Sequence, residues 1–286
     1  MVLLHLEAFV KQQMSFIKAG REGASIYVQD TQVGKPVVFI HGWPLSSKMF
    51  EYQFMHLSPL GYRCIAPDLI GFGMSDRPWG DYNYDLYADD IRQVLSRLDV
   101  KDSTLVGFSM GGAVVMHYLA KYRGWGVKKA VFMGAAAPSL TKREGYPYGK
   151  ERAEVDALIA QGLNDRPKLN ADFGKMVFKD EKSVSKEMAS WFYSLGLEAA
   201  PHASLKCAEQ LRDADLRTDM QAVSQLDLPV AIFHGKHDRV CSFDFAKVMN
   251  AGIAGSQLVE FTQSGHALNV EEIQKTNMEL VKFIGK

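Results

Sequence analysis

Five short apolar runs divide the chain, and a stretch with helical periodicity follows most of them. The runs occupy residues 36–40, 62–66, 104–106, 129–133 and 229–233. Strands that are buried on both faces of a parallel sheet have this continuous apolar character. Residues 15–17 and 25–28 instead alternate between apolar and polar positions, which predicts an antiparallel edge before the first buried strand.

Amphipathic stretches separate the buried runs. Residues 84–98 place Leu86, Ile91 and Leu95 on one face and charged side chains elsewhere, and residues 270–284 follow a similar pattern. Repeated strand, helix, strand units predict an α/β protein with a mostly parallel, doubly wound sheet. Ligands of such sheets bind at the carboxyl ends of the strands, so we expect the catalytic side chains there.

The pattern changes between residues 138 and 220, where no buried strand appears. Helical stretches at 151–159, 184–195 and 203–211 are separated by breakers, which are Gly162, Pro167, Gly174 and Pro201. We therefore predict a helical cap at 138–220, inserted into an α/β core formed by 1–137 and 221–286. A cap that leaves and re-enters between two strands can cover the strand ends and wall a pocket.

A serine stands in a glycine-rich turn between the third run and a helical stretch. The turn reads Gly107-Phe108-Ser109-Met110-Gly111-Gly112. Glycines at this spacing relieve the crowding of a strained strand-to-helix turn that exposes a nucleophile. They also place the Met110 N–H at a helix N-terminus, where it can stabilise a negative charge. The alternative is that the glycines only allow close packing of helix and sheet.

A second motif, His41-Gly42-Trp43-Pro44, ends the first buried run. This position predicts the Trp43 N–H as a second oxyanion donor. Pro44 restricts Trp43 to extended conformations and would fix the direction of its main-chain groups. The alternative is a rigid loop in which Pro44 only starts the next helix.

An acid and a base follow the last two strands. Asp238 comes just after the run at 229–233, and His266 comes just after 258–261. A histidine can take the serine proton, and a carboxylate can hold its tautomer. His237 is too close in sequence to Asp238 to face it across a site. The other histidines are expected to be surface residues or packed residues rather than the catalytic base, namely His5, His56, His117, His202 and His234.

Composition narrows the classes of partner. The chain has 33 basic residues (lysine plus arginine) and 33 acidic residues (aspartate plus glutamate). It therefore carries no net charge that would favour binding to nucleic acid or to an anionic membrane. The loop at 68–76 lacks the spacing of a phosphate-binding loop. Histidine and cysteine show no metal-ligand spacing, and we expect neither a metal nor another cofactor.

The cysteines and the N-terminal stretch bear on the compartment. Cys64, Cys207 and Cys241 are scattered, which argues against a disulfide framework and favours a cytoplasmic protein. Residues 1–10 have no basic region and no cleavage site, so we expect no signal peptide. No window reaches the ~18 apolar residues of a membrane span.

The order serine, aspartate, histidine resembles that of the α/β-hydrolase fold superfamily from about residue 15 onward. A finer similarity, to the cofactor-free haloperoxidase, perhydrolase and aryl-esterase branch, rests on residues 41–44, 75–79, 84, 88–90 and 106–112. The resemblance implies hydrolysis of small carboxylic esters without metal or haem. Many members of the branch also make peracids from hydrogen peroxide and a short carboxylic acid. In that branch a proline at the position of Pro44 is associated with perhydrolysis, and homo-oligomers are common.

Two regions depart from the branch. Around the acid, Lys236 and His237 stand where small or acidic residues are usual, and Cys241-Ser242 stands where a proline is frequent. The predicted cap diverges most. Because a cap selects the substrate, the resemblance supports the catalytic residues more strongly than the identity of the ester.

The expected reaction is hydrolysis of a small ester by a serine carboxylesterase, with an acyl-enzyme on Ser109. Asp238 would orient His266, and the N–H groups of Trp43 and Met110 would hold the oxyanion. The side chains expected to contact substrate are those of Trp43, Pro44, Phe108 and Trp191. Other cap aromatics either line the acyl pocket or pack the insertion. The alternatives are an acyltransferase or carbon–carbon bond hydrolase, or a slow-turnover receptor that keeps the triad.

Overall fold

A single twisted sheet crosses the protein, and a computed structural model describes it within residues 13–18 and 21–285. Its strands in these residues are β1 Gln13–Lys18, β2 Ser25–Asp30, β3 Lys35–Ile40, β4 Tyr62–Pro67, β5 Ser103–Phe108, β6 Val127–Met133, β7 Val230–Gly235 and β8 Gln257–Phe261. Their order in the sheet is β1-β2-β4-β3-β5-β6-β7-β8. Residues 1–10, for which we expected no signal peptide, lie outside the described residues, as does His5.

The sheet has the predicted α/β class. The five apolar runs form β3 to β7, which pair in parallel through neighbouring strands. Side chains on both faces of these strands are buried, as Val38 and Phe39 of β3 illustrate, so no alternation is left in their sequence. β1 and β2 form the antiparallel edge.

Ten helices accompany the strands in the described part of the chain. They are α1 Glu51–Leu57, α2 Tyr84–Arg97, α3 Met110–Tyr122, α4 Arg152–Val177, α5 Lys186–Leu197, α6 Pro201–Asp213, α7 Arg217–Ser224, α8 Phe243–Gly252, α9 Leu268–Glu271 and α10 Ile273–Ile284. α1 packs with α9 and α10, whereas α2 packs with α3. No helix among the described residues has the length and apolar character needed to cross a bilayer.

The helices α4, α5 and α6 lie between β6 and β7, in the segment predicted as a cap. α4 packs against both other helices. It is kinked at Asp165, whose carboxylate accepts a hydrogen bond from the Lys168 N–H (3.0 Å) and so caps the second half of the helix. Pro167 stands in that first turn, where a proline is tolerated.

Two details of the cap differ from the sequence pattern. Gly162 and Gly174 lie inside α4, whereas we predicted both as helix separators. That expectation was wrong because α4 packs against α5 and α6, and this packing outweighs the low helix propensity of a glycine. In addition, α7 crosses the predicted boundary at residue 220 and packs against α3 and α8.

Candidate active site

Ser109 occupies the turn between β5 and α3 with φ 53° and ψ −119°, a conformation that L residues rarely adopt. The turn is possible because glycines stand at two neighbouring positions where a side chain would clash with the main chain. A Cβ on Gly107 would lie 2.5 Å from the Gly111 carbonyl oxygen, and one on Gly111 would lie 2.2 Å from the Ile40 carbonyl oxygen. The glycines therefore serve close packing and the strained serine together.

His266 and Asp238 meet at the ends of β8 and β7. His266 Nδ1 is 2.7 Å from Asp238 Oδ2, and the two residues are 2% and 8% exposed. The main-chain N–H groups of Val240 and Cys241 donate to Asp238 Oδ1, each at 2.8 Å. Since Nδ1 faces a carboxylate, it holds the proton, and Nε2 is left to accept one. Within the described residues Nε2 has no hydrogen-bond partner.

The Ser109 side chain lies close to Cys241. Burial raises the pKa of the Cys241 thiol well above its usual range, and interaction with the Ser109 hydroxyl opposes that rise. In this arrangement the serine hydroxyl is not hydrogen bonded to His266 Nε2. Catalytic hydrogen bonds are often long before substrate binds, and a rotation about one side-chain bond redirects the hydroxyl.

His234 also contacts the acid, and the sequence pattern did not indicate this. It is fully buried, with Nε2 2.8 Å from the Cys241 carbonyl oxygen and 3.2 Å from Asp238 Oδ2. Burial raises the pKa of Asp238, but His266 and His234 outweigh burial and hold it below its usual range. The available signal was the position of His234 at the end of a buried strand, next to the acid.

Two main-chain N–H groups near Ser109 donate to no other described residue, those of Trp43 and Met110. Met110 begins α3, where the helix dipole favours negative charge. The loop that follows β3 lies directly against the serine, since a Cβ on Gly42 would be 2.8 Å from Ser109 Cβ. The two donors and the serine therefore form a candidate oxyanion site.

His41 fixes the peptide that carries one of these donors. Burial lowers the pKa of His41, so the ring is neutral. Its Nε2 accepts from the Leu69 N–H at 2.9 Å, which leaves the proton on Nδ1, 2.9 Å from the Gly42 carbonyl oxygen. That carbonyl and the Trp43 N–H belong to one planar peptide unit. A hydrogen bond to one end therefore sets the direction of the other.

Two cavities open beside the candidate residues. The serine-side cavity, of about 40 Å³, has a wall that includes Ser109, Leu140, Val155, Leu158, Met176 and Leu211. The histidine-side cavity, of about 30 Å³, has a wall that includes His266, Pro44, Phe108, Asn170, Phe178 and Tyr193. Trp43 and Phe173 line both, with ring centroids 4.9 Å apart, and form the partition between them.

The model of the alpha/beta hydrolase fold family matches residues 35–273, a range that contains every residue of the candidate site. This chain belongs to the alpha/beta hydrolase fold family. The hydrolase is 45% identical to the AB hydrolase superfamily protein YisY of Bacillus subtilis strain 168, over 92% of this chain and 96% of that protein.

Two further relatives bear on the branch of the family. A putative non-heme chloroperoxidase of Synechocystis is 33% identical, over 95% of this hydrolase and all of that protein. The solved structure of an esterase from Exiguobacterium antarcticum is 41% identical, with a TM-score of 0.91, over 96% of this chain and 100% of that chain. The resemblance to the non-haem haloperoxidase branch is thereby confirmed.

The side chains expected to bind substrate do not all lie in the site of this hydrolase. Trp43, Pro44 and Phe108 line the histidine-side cavity. Trp191 lines neither cavity and instead packs edge-on against Tyr52 and Phe192. Among the described residues, no group of three His, Cys, Asp or Glu side chains is placed to hold a metal ion.

The loop at 262–267, which carries His266 and which we call the histidine loop, is hydrogen bonded to the last turn of α4. The main-chain N–H groups of His266 and Ala267 both donate to the Val177 carbonyl oxygen, at 2.8 and 3.1 Å. Glu271 connects the same parts, because its carboxylate accepts from the Lys179 N–H (2.7 Å) and from the N–H of Gly265 in the histidine loop (2.9 Å). The end of α4 and the candidate base thus form one hydrogen-bonded unit.

Proposed function

We propose that this hydrolase cleaves carboxylic esters through an acyl-enzyme on Ser109. The observation that carries the proposal is a histidine whose Nδ1 is bound to a buried carboxylate and whose Nε2 has no partner among the described residues. Its ring centroid lies 4.8 Å from that of Phe108, the residue before the strained serine. The esterase of Exiguobacterium antarcticum, 41% identical, supports an ester as the substrate.

In the proposed first step, Ser109 Oγ attacks the ester carbonyl carbon while His266 Nε2 takes its proton. The carbonyl oxygen becomes an oxyanion, which the N–H groups of Trp43 and Met110 stabilise. The intermediate collapses, the bond to the alcohol oxygen breaks, and His266 returns the proton to that oxygen. Asp238 keeps the imidazolium oriented throughout.

In the second step, water attacks the acyl-enzyme with His266 again as base. The bond to Ser109 Oγ breaks, Oγ regains its proton, and the carboxylic acid leaves. Since His266 must reach the alcohol oxygen, the alcohol part is assigned to the histidine-side cavity. The acyl part is assigned to the apolar serine-side cavity beside Ser109.

A second activity follows if hydrogen peroxide replaces water in the second step. The acyl-enzyme then gives a peracid and free Ser109, and the resemblance to the non-haem haloperoxidase branch supports this route. Pro44 lines the cavity that the incoming nucleophile crosses to reach His266. We expect Pro44→Leu to lower the ratio of peracid to acid formed.

The decisive experiment is steady-state hydrolysis of p-nitrophenyl acetate by the wild type, Ser109→Ala and Ser194→Ala. Ser194 is an exposed serine of α5 and serves as the matched control. We expect rapid turnover that Ser109→Ala abolishes and Ser194→Ala keeps. A single acylation burst without turnover would favour the receptor alternative, and equal rates in all three proteins would exclude Ser109 as the nucleophile.

A further inference from the structure

Asn170, in the second half of α4, is a buried amide without a protein partner. It is 4% exposed, and neither Oδ1 nor Nδ2 has a hydrogen-bond partner among the described residues. Buried polar side chains in native proteins are nearly always hydrogen bonded, because an unmade bond costs folding free energy. An amide that is left open at both ends therefore indicates a group supplied from outside the chain.

The amide borders the histidine-side cavity. Asn170 and His266 both line it, and most of the remaining wall is apolar. Gly196 leaves the space between the amide and Pro44 open, since a Cβ there would be 3.3 Å from Asn170 Nδ2 and 3.2 Å from Pro44 Cγ. A group bound in this cavity therefore meets a hydrocarbon wall and the open amide.

A wider groove on the surface, of about 730 Å³, adjoins the histidine-side cavity, and we call it the outer groove. Four residues line both spaces, namely Asn170, Gly174, Phe178 and Tyr193. Asn170 therefore stands between the groove and the cavity that contains His266.

The chemistry of the amide selects the group that it can bind. A carboxamide offers N–H donors and a carbonyl acceptor at once. A hydroxyl group can satisfy both, a carboxylate can satisfy only the donors, and a hydrocarbon satisfies neither. A site built to hydrogen bond a hydroxyl discriminates against the analogue that lacks it, because its polar groups are then left unpaired.

We propose that Asn170 is a specificity-determining residue that binds a hydroxyl group on the alcohol part of the ester. The inference rests on the proposed function, which assigns the alcohol part to the histidine-side cavity. The preferred substrates are then monoesters of diols and polyols with an apolar acyl group.

The test compares two esters of one acid, glycerol 1-monobutyrate and propyl butyrate, which share a three-carbon alcohol skeleton. Asn170→Leu removes the amide at similar volume. We expect it to lower kcat/KM for glycerol monobutyrate five- to tenfold and to leave propyl butyrate unchanged or faster. Asn164→Leu, at an exposed position of the same helix, is expected to keep the wild-type ratio.

Folding is followed by thermal unfolding, and Asn170→Leu is expected to melt at or above the wild-type temperature because it removes an unpaired amide. If it fails to fold, Asn170→Ala, which also removes the amide, provides the same comparison of esters. An unchanged ratio in a folded Asn170 variant, or an equal shift of the ratio in Asn164→Leu, would overturn the inference. Failure of the wild type to cleave either ester, or cleavage by Ser109→Ala, would overturn the proposed function itself.

Discussion

Four hydrogen-bond donors surround the Asp238 carboxylate. Two main-chain N–H groups face Oδ1, and the rings of His266 and His234 face Oδ2. This set compensates for burial and keeps the acid ionised, in line with its lowered pKa. The ionised carboxylate can therefore stabilise the imidazolium that forms when His266 takes the serine proton.

At the residue scale, His41 should affect the rate through the peptide that it orients. His41→Phe keeps a ring but loses the bonds to the Gly42 carbonyl and the Leu69 N–H. We expect kcat for p-nitrophenyl acetate to fall by about 10- to 100-fold with little change in KM, because the Trp43 donor acts on the transition state. The exposed His56→Phe is the control, and an unchanged kcat in folded His41→Phe would contradict this role.

The triad candidates could be predicted from the sequence because each follows a buried strand, and parallel strands bring their carboxyl ends together. Ser109 also has a local signal in its glycines. His234 has only its position at the end of a buried strand, and Asn170 has no signal in the sequence. The significance of His234 depends on a contact with Asp238, and that of Asn170 depends on the partners that it lacks. Both are properties of packing rather than of spacing.

At the element scale, the contact between the histidine loop and α4 leaves no space at Gly265. A Cβ there would lie 2.6 Å from Lys179 N and 2.8 Å from Phe178 C, both main-chain atoms. We expect Gly265→Ala to lower the free energy of unfolding by about 1–3 kcal/mol and to lower kcat, because the backbone that holds His266 must shift. Urea unfolding and steady-state rates provide the two measurements.

Gly174 supplies the matched control within α4. A Cβ there meets no atom within 4 Å, so Gly174→Ala should stabilise the helix by about 0.5–1 kcal/mol. Equal effects of the two substitutions on stability would contradict the contact described for Gly265.

Helices and strands differed in how well their sequences predicted them. The apolar runs predicted the buried strands because a strand that is buried on both faces has apolar residues at consecutive positions. Gly162 and Gly174 were misassigned because a glycine within a helix and one that ends a helix look alike in sequence. Trp191 was expected near substrate because it is aromatic and lies in the cap, but neighbouring aromatic rings hold it away from both cavities.

At the scale of the whole molecule, one buried acid links stability to pH. Burial raises the pKa of Asp90, on α2, to about 6, against the opposing effect of Arg21, 3.4 Å away. In an unfolded chain the pKa is about 3.9. Between these values the folded state keeps a proton that the unfolded state has lost. The contribution of Asp90 to the free energy of unfolding therefore falls as pH rises from about 4 to about 6.

Asp90→Asn removes this titration. The difference in unfolding free energy, variant minus wild type, should increase by an amount on the order of 2 kcal/mol between pH 4 and pH 7. Urea unfolding at several pH values measures it, with the exposed Asp102→Asn as a control whose difference stays small. A difference for Asp90→Asn that does not change with pH would rule out a raised pKa.

The shared wall of the histidine-side cavity and the outer groove bears on how molecules pass through this hydrolase. The serine-side cavity has no wall residue in common with that groove. In the proposed reaction the departing alcohol and the incoming nucleophile thus both pass through the histidine-side cavity. The acyl group stays in the serine-side cavity, on the other side of the Trp43–Phe173 partition. The concentration and the reactivity of each nucleophile in the histidine-side cavity, together with wall residues such as Pro44, then decide the product. In the proposed reaction, the same site would carry out hydrolysis, peracid formation or transfer to another alcohol, depending on the composition of the surrounding solution.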